Sequence, residues 1–381
     1  MKRMRTIFWL LITLAGAAAW VLPCGAMPAE KRAMIPYSGQ HAIKQHDFEK
    51  GYRAGRVQNL SFTEDGLMPA AGQPVAGLAG EYLSDEILLL FEARQLVLTW
   101  NADMPQGAWL HVQFRVRGQE ADWSGWYDMS EWRRPDQGAR NTRDETYGKL
   151  KVDILDAAHD FSTVQYRVRF YTVAGGAAPT LRMVTLCYSR DMKDEERRIP
   201  VTAPAGAADA LLNVPWLSQL RIEDVGDEAM IEAGVCAPTS TAMVMQYHGR
   251  PVSVGQVAAH AFDPVSELYG NWAYLAATAG DFGLRSWVQR FNNWDDVRRL
   301  VEQGAPVIIS IAYPKGTFKA DPEKTSDGHL MVVRGFTARG NVIVNDPGTA
   351  FPERGRAIEY KWDEMGQAFF GHGGVGIIVA K

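Results

Sequence analysis

One stretch decides the fold of the C-terminal half of the chain: residues 234–249, GVCAPTSTAMVMQYHG. Residues 239–248 favour a buried helix. Pro238 suits the first turn of that helix, where its missing N–H would be unpaired in any case. Gly249 is suited to end the helix as a C-cap. The sequence therefore predicts a helix with Cys236 immediately before it.

Cys236 stands where a helix start favours negative charge. The unpaired N–H groups and the dipole of a helix N-terminus stabilise a thiolate, which lowers the pKa of a thiol from about 8.5. A thiolate in this position is a candidate nucleophile. The alternative is a small buried apolar residue, the more common role of a lone cysteine.

The chain beyond this helix carries a mixture of helix and strand signals. Ser253 and Gln256 form a capping box that predicts a second helix, and residues 294–303 predict a third. Apolar runs then predict strands at 306–312, 330–336, 342–345 and 376–380. Helices followed by a sheet indicate an α+β fold.

Thiol chemistry also needs a base and a carboxylate that orients it. His329 immediately precedes one predicted strand, and Asp346 immediately follows the next and comes before a Pro-Gly turn. If these strands pair as an antiparallel hairpin, the start of one lies beside the end of the other. The two side chains are then neighbours, and a carboxylate can hold the imidazole in one tautomer. A structural histidine and an ordinary turn are the alternative.

The preceding half of the chain has a different period. In residues 111–117, HVQFRVR, and 164–170, VQYRVRF, apolar and polar residues alternate, which is typical of half-buried antiparallel strands. Further short apolar runs between turn residues predict an all-β, sandwich-like domain. Residues 200–208 are rich in Pro, Ala and Gly and predict a linker.

These patterns divide the chain into residues 1–26, 27–205 and 206–381, and we expect the last part to fold by itself. The first part has the pattern of an export signal. Three basic residues within the first five precede an uninterrupted apolar run at 7–22, followed by Gly25 and Ala26. We expect cleavage after Ala26 and a secreted, periplasmic or envelope location. An uncleaved anchor is the alternative, although 16 apolar residues fall short of the roughly 17–25 that span a bilayer.

Net charge, cysteine content and histidine spacing each exclude a class of partner or site. The 381 residues include 40 Lys and Arg against 44 Asp and Glu, a net charge of −4, which offers no strong field to nucleic acid. Cys24, Cys187 and Cys236 are too few for a disulfide scaffold and contain no CxxC pair. The histidines lack metal-ligand spacing. We therefore predict no nucleic-acid partner, no metal and no cofactor.

Four motifs together resemble a known peptidase family: 214–219 (VPWLSQ), 236–240 (CAPTS), 327–329 (DGH) and 345–347 (NDP). Residues 214–381 are similar to the papain-like cysteine peptidases that process bacteriocin leaders, the double-glycine peptidases of family thirty-nine, and especially to their stand-alone exported relatives. The resemblance implies a papain-like fold for this part of the chain. No phosphate-loop motif of the form GxxxxGK[ST] is present in the sequence, so a fused ATP-driven exporter is not expected.

The resemblance also implies a role for four residues. Cys236 is the nucleophile, His329 the base and Asp346 the residue that orients the base. The side-chain amide of Gln219, together with the N–H of Cys236, forms the oxyanion hole. The chain differs from the family in having Ala237 where Gly is common, and in the position of Gln219, which lies 17 residues before Cys236 and is farther from it than usual.

Aromatic residues suggest a second binding role. Trp123, Trp126, Tyr127 and Trp132 crowd into ten residues of the β domain. Exposed rings can stack on sugars, so a cell-wall glycan is one hypothesis and core packing is the other. Trp272 poses a similar choice between the wall of a substrate groove and the core.

The sequence as a whole predicts an exported cysteine peptidase that hydrolyses peptide or amide bonds in a peptide or protein substrate. Transfer of the acyl group to an amine by the same thiolate is an alternative. A non-catalytic cell-surface protein that binds a peptide or a glycan is another.

Overall fold

The computed structural model describes residues 41–71, 76–133, 143–144, 146–190, 203–204, 210–222 and 234–381. The predicted export signal and most of the predicted linker lie outside these ranges. Within them, no helix is long and apolar enough to cross a membrane.

The N-terminal unit, described from residue 41 to residue 190, is built from antiparallel strands. They are β1 (His41–Asp47), β2 (Arg56–Gln58), β3 (Leu60–Phe62), β4 (Leu67–Pro69), β5 (Gly77–Leu83), β6 (Ile87–Asp103), β7 (Trp109–Arg117), β8 (Tyr127–Trp132), β9 (Arg143–Asp144), β10 (Gly148–Lys151), β11 (Ile154–Thr172) and β12 (Thr180–Ser189). The alternation of apolar and polar residues in β7 and β11 places one face of each strand in the core.

Strand β11 changes neighbours along its 19 residues. Strands β10 and β6 flank its first part, whereas β7 and β5 flank its last part, and register shifts separate the two. The twelve strands consequently form one hydrogen-bonded network. The all-β prediction is confirmed, but the strands are not divided into the two separate sheets of a simple sandwich. Large aromatic side chains fill the core, among them Trp100, Phe114, Tyr127, Trp132, Phe161 and Tyr166.

Trp123 and Trp126, unlike the buried Tyr127 and Trp132, are half-exposed and interleave with arginines. The guanidinium of Arg115 lies 4.4 Å from the ring centre of Trp123 and 4.8 Å from that of Trp126. Arg117 lies 4.6 Å from the first ring and Arg167 lies 4.0 Å from the second. Cation–π packing therefore accounts for the aromatic cluster, and glycan binding stays a prediction.

The C-terminal unit combines helices with a second antiparallel sheet. The helices are α1 (Cys236–Tyr247), α2 (Val254–Ala261), α3 (Trp272–Asp281), α4 (Trp294–Glu302), α5 (Pro352–Gly355) and α6 (Trp362–Phe370). The strands are β13 (Ala210–Leu211), β14 (Arg285–Arg290), β15 (Val307–Tyr313), β16 (Ser326–Phe336), β17 (Val342–Asn345), β18 (Ile358–Tyr360) and β19 (Val375–Ala380). The sheet order is β14-β19-β15-β16-β17-β18, with β13 also paired to β16. The segregation of α1, α2 and α3 before most of the antiparallel sheet agrees with the predicted α+β order, whereas α4, α5 and α6 alternate with the later strands.

Helix α1 begins at Cys236, so Cys236 is its first residue rather than the residue before it, and Pro238 lies in the first turn as predicted. The capping box of α2 is present: Gln256 N–H donates to Ser253 Oγ at 3.1 Å, and Ser253 N–H donates to Gln256 Oε1 at 2.9 Å. Strand β17 has the predicted bounds.

Helix α3 was not predicted, and Trp272 does not line a groove. Asn271 caps the helix by accepting the N–H of Tyr274 at 3.0 Å. Nine of the ten helical residues are buried, with Trp272 1% exposed. The core-packing alternative is the correct one for Trp272. The small residues of α3 allow neighbouring elements to pack closely on every side of the helix. Because no face of α3 is polar, the helix lacks the amphipathic pattern that indicates a surface helix.

Helix α3 lies where the two units meet. Tyr274 and two alanines of α3 belong to the aromatic core of the N-terminal unit. In the other direction, Val97, Ile154 and Cys187 belong to the core around α1, α2 and α3. The two units therefore share their apolar interior.

Buried hydrogen bonds cross the same boundary. The Asn101 side chain donates to the carbonyl of Ser286 and accepts its N–H, both at 2.8 Å. The Arg290 guanidinium donates to Gln95 Oε1 at 2.6 Å. Because these groups lose their partners if the units separate, we expect residues 206–381 not to fold by themselves.

Candidate active site

Cys236 is the first residue of α1 and is fully buried. Its Sγ accepts the backbone N–H of Leu330 at 3.2 Å, and Ser240, one turn further along α1, donates its hydroxyl to the carbonyl of the same residue at 3.1 Å. Both polar backbone groups of Leu330 are thus bound by α1. This fixes the start of the helix beside His329, the preceding residue of β16.

Cys236 is disulfide-bonded in the structure, whereas Cys187 is a free, buried thiol. A disulfide sulfur is not a nucleophile toward a carbonyl. Any chemistry of Cys236 as a thiolate therefore belongs to the reduced protein.

His329 and Asp346 are joined by a hydrogen bond of 2.7 Å between Nε2 and Oδ1. The reason is the pairing of β16 with β17, in which Val332 lies opposite Asn345, so the beginning of one strand meets the residue that follows the other. The neighbour relation predicted from the hairpin is present. With Nε2–H donated to the carboxylate, Nδ1 is the ring nitrogen left to exchange a proton.

Asp346 is buried and yet remains strongly acidic. Burial acts to raise the pKa of its carboxyl, but the charge and hydrogen bond of His329, the charge of Lys324 and the N–H of Gly348 outweigh it and hold the pKa at about 2. The Gly348 N–H donates to Oδ1 at 2.8 Å, and Lys324 Nζ lies 3.8 Å from Oδ2. The residue is a carboxylate across the physiological range.

Gly348 also packs against the imidazole. A Cβ at this position would lie 3.2 Å from Cε1 and 3.3 Å from Nε2 of His329. A side chain here would push on the ring or on the carboxylate, so glycine permits the close turn over the pair.

The segment 214–219 is bound to the loop that follows β17. Trp216 Nε1 donates to the carbonyl of Asp346 at 2.8 Å, and Ser218 donates its hydroxyl to the carbonyl of Thr349 at 2.6 Å. Buried Asn345 completes the attachment by donating to two carbonyls of the segment, at 3.2 and 3.1 Å. The motifs VPWLSQ and NDP are therefore one structural assembly around Asp346.

Gln219 belongs to this assembly. Its N–H donates to the carbonyl of Pro347 at 3.0 Å, which places it beside the residue after Asp346. Its side-chain Oε1 is buried and accepts no hydrogen bond from the described residues. A cavity of about 330 Å³ adjoins the segment and is lined by Leu217, Ser218, Arg221, Ile222, Gln246, Ser253 and Val254.

The structure thus brings Cys236, His329 and Asp346 to one place and sets Gln219 on the adjoining loop. Sequence reasoning missed Lys324 and the contact of Gly348 with the ring. The Pro-Gly turn gave a signal for the glycine, whereas nothing distinguishes Lys324 from other loop lysines. Among the described residues, no group of three or more His, Cys, Asp or Glu side chains is placed to hold a metal.

Two family models match the chain. The model described as Peptidase C39 like family covers residues 211–369, and the model described as Peptidase C39 N-terminal domain covers residues 40–189. Residues 211–369 belong to the Peptidase C39 like family. The chain therefore joins a unit whose family indicates a cysteine peptidase to the N-terminal domain described for such peptidases.

Other comparisons give weaker likenesses to the C39-like chain. No curated protein is significantly similar to it in sequence. A structure from Bacillus anthracis described as a C39-like peptidase is 18% identical, covers 46% of this chain and 98% of its own, and has a TM-score of 0.34. A xylan-binding module, CBM15, is 12% identical, covers 40% of this chain and 100% of its own, and has a TM-score of 0.24. TM-scores this low do not establish a shared fold.

Proposed function

We propose that the chain is an exported cysteine peptidase with a papain-like catalytic unit, in which Cys236 is the nucleophile, His329 the base and Asp346 its orienting carboxylate. The observation that carries the proposal is the hydrogen bond between His329 and Asp346 at the point where Leu330 N–H contacts Cys236 Sγ. Membership of the peptidase C39-like family supports hydrolysis of a peptide bond.

The reaction follows from the two ring nitrogens of His329. Asp346 holds Nε2–H, so Nδ1 accepts the proton of the Cys236 thiol and the thiolate attacks the substrate carbonyl. The resulting oxyanion receives hydrogen bonds from the N–H of Cys236 and the side-chain amide of Gln219. His329 then gives its proton to the leaving amine as the C–N bond breaks.

The second half of the reaction uses water. His329 takes a proton from a water molecule, which attacks the thioester formed on Cys236 and releases the carboxylic acid and the thiol. An amine in place of water would make the same site an acyl transferase, the alternative of closest chemistry. Product analysis with and without an added amine separates the two reactions.

Export is a further part of the proposal and is supported by the basic residues and apolar run within 1–26. Mass spectrometry of the protein from its native host is expected to show a new N-terminus near Met27. An intact Met1 in the membrane fraction would support the uncleaved anchor instead.

The central test uses the two cysteines of the mature chain. Under reducing conditions, Cys236→Ala is expected to abolish cleavage of a peptide library, whereas Cys187→Ala, the same change at a buried thiol of β12, is expected to retain it. Cys236 should also react with iodoacetamide well below pH 8. Cleavage that survives Cys236→Ala, or a Cys236 that alkylates like a model thiol from pH 5 to 8, would overturn the proposal.

A further inference from the structure

Lys324 is a cation on the side of Asp346 that His329 does not occupy. Its Nζ lies 3.8 Å from Asp346 Oδ2, while Oδ1 is engaged by His329 and by the N–H of Gly348. The Asp346 side chain is 5% exposed and that of Lys324 36% exposed. The two oxygens of one buried carboxylate are thus bound from different directions.

Lys324 is itself held in place by tyrosines. Its Nζ donates to the hydroxyl of Tyr360 at 3.3 Å and lies 5.8 Å from the centre of that ring. The backbone beside it is fixed by the Thr325 hydroxyl, which donates to the carbonyl of Tyr313 at 3.0 Å. An ammonium held between a ring and a carboxylate has fewer orientations than a free surface lysine.

The charges around Lys324 keep it protonated. Burial acts to lower its pKa, but Tyr360, Asp346 and Tyr313 outweigh this effect, and the pKa stays above its ordinary value. Asp321 also acts on Tyr360, and His329 lies across the carboxylate. Lys324 therefore brings one positive charge to a site that already includes the imidazole.

Resting on the proposed function, we propose that Lys324 is a positioning residue of the catalytic site. It holds Oδ2 of the Asp346 carboxylate so that Oδ1 faces His329. The carboxylate in turn keeps Nδ1 of His329 directed at the thiol.

The test compares Lys324→Met with Lys324→Arg and with Lys315→Met. Lys315 belongs to the same loop but pairs with exposed Glu323 at 2.7 Å, so it serves as the matched control. We expect Lys324→Met to lower kcat about tenfold with little change in KM. The arginine variant should restore kcat, and Lys315→Met should leave kcat and KM unchanged.

Alkylation of Cys236 keeps this inference separate from the proposed function. A wild-type Cys236 that alkylates like a model thiol from pH 5 to 8 would overturn the peptidase proposal. A reactive wild-type Cys236 with an unchanged kcat in Lys324→Met would overturn the role of Lys324 alone. A fall in kcat that arginine does not rescue would mean that Lys324 only supports the fold.

Discussion

Replacing Asp153 by asparagine is expected to change how the stability of the chain depends on pH. Asp153 is buried at the boundary of the two units, where its Oδ2 accepts the N–H of Ala273 in the first turn of α3 at 2.9 Å. Burial raises the pKa of the carboxyl from 3.8 to about 6. The N–H groups of Ala273 and Trp272 oppose this rise, and the charge of Asp263 adds to it. The side chain thus caps a helix of the other unit while its charge is poorly solvated.

The magnitude follows from the size of this shift. A rise of about two pKa units corresponds to about 3 kcal/mol. Because the folded-state pKa lies above the unfolded-state value, the contribution of this group to stability is fully present below about pH 4 and is lost as the pH rises through about 6. Asparagine does not titrate. The free energy of unfolding of Asp153→Asn relative to wild type should therefore increase by about 3 kcal/mol between pH 4 and pH 7.5.

Urea unfolding at pH values from 4 to 7.5, followed by tryptophan fluorescence and circular dichroism, measures this difference. Any hydrogen bond that asparagine fails to make lowers the stability of the variant equally at each pH and does not affect the slope. Asp122→Asn removes an exposed carboxylate and controls for the loss of one negative charge. If the difference in the free energy of unfolding between Asp153→Asn and wild type is constant from pH 4 to 7.5, burial at the boundary does not raise the pKa of Asp153 and this prediction is wrong.

Three further predictions concern packing. Gly348→Ala should lower kcat/KM roughly tenfold with little loss of stability, because its Cβ would lie 3.2 Å from the His329 ring; steady-state kinetics would contradict this if kcat/KM were unchanged. Gly355→Ala should lower the free energy of unfolding by about 1–3 kcal/mol, since its Cβ would lie 2.4 Å from Trp216 Nε1 and 2.6 Å from the Asp346 carbonyl, and a wild-type melting temperature would refute it. Residues 210–381 expressed alone should lack a cooperative unfolding transition, because α3 would expose its buried face; a sharp transition with well-dispersed amide resonances would show that the units fold separately.

Helix α1 and the hairpin of β16 and β17 were predictable because their signals are local. A proline in the first turn and a run of residues that favour a buried helix mark α1, and two apolar runs before and after a short turn mark the hairpin of β16 and β17. The neighbour relation of His329 and Asp346 then follows from antiparallel pairing alone. The catalytic roles of these residues remain predictions.

Helix α3 and the shared core were not predictable in the same way. A helix with nine of ten residues buried shows no polar face, so its period gives no sign of which elements cover it. Its cap from Asp153 comes from 120 residues earlier in the chain. The linker composition suggested separate domains, whereas the residues that join the units lie in strands and helices far from the linker.

Asp346 shows where local signals end and long-range contacts begin. Its link to His329 comes from a hairpin, but its pKa of about 2 depends on both His329 and Lys324. Lys324 lies on a loop whose position is set by Tyr313 and Tyr360, which belong to separate strands of the sheet. The pairing of His329 with Asp346 can be recognised from strand pairing. The low pKa of Asp346 also depends on Lys324, which comes from a different loop. Lys324 therefore acts on Asp346 through a contact that the pairing of β16 with β17 does not predict.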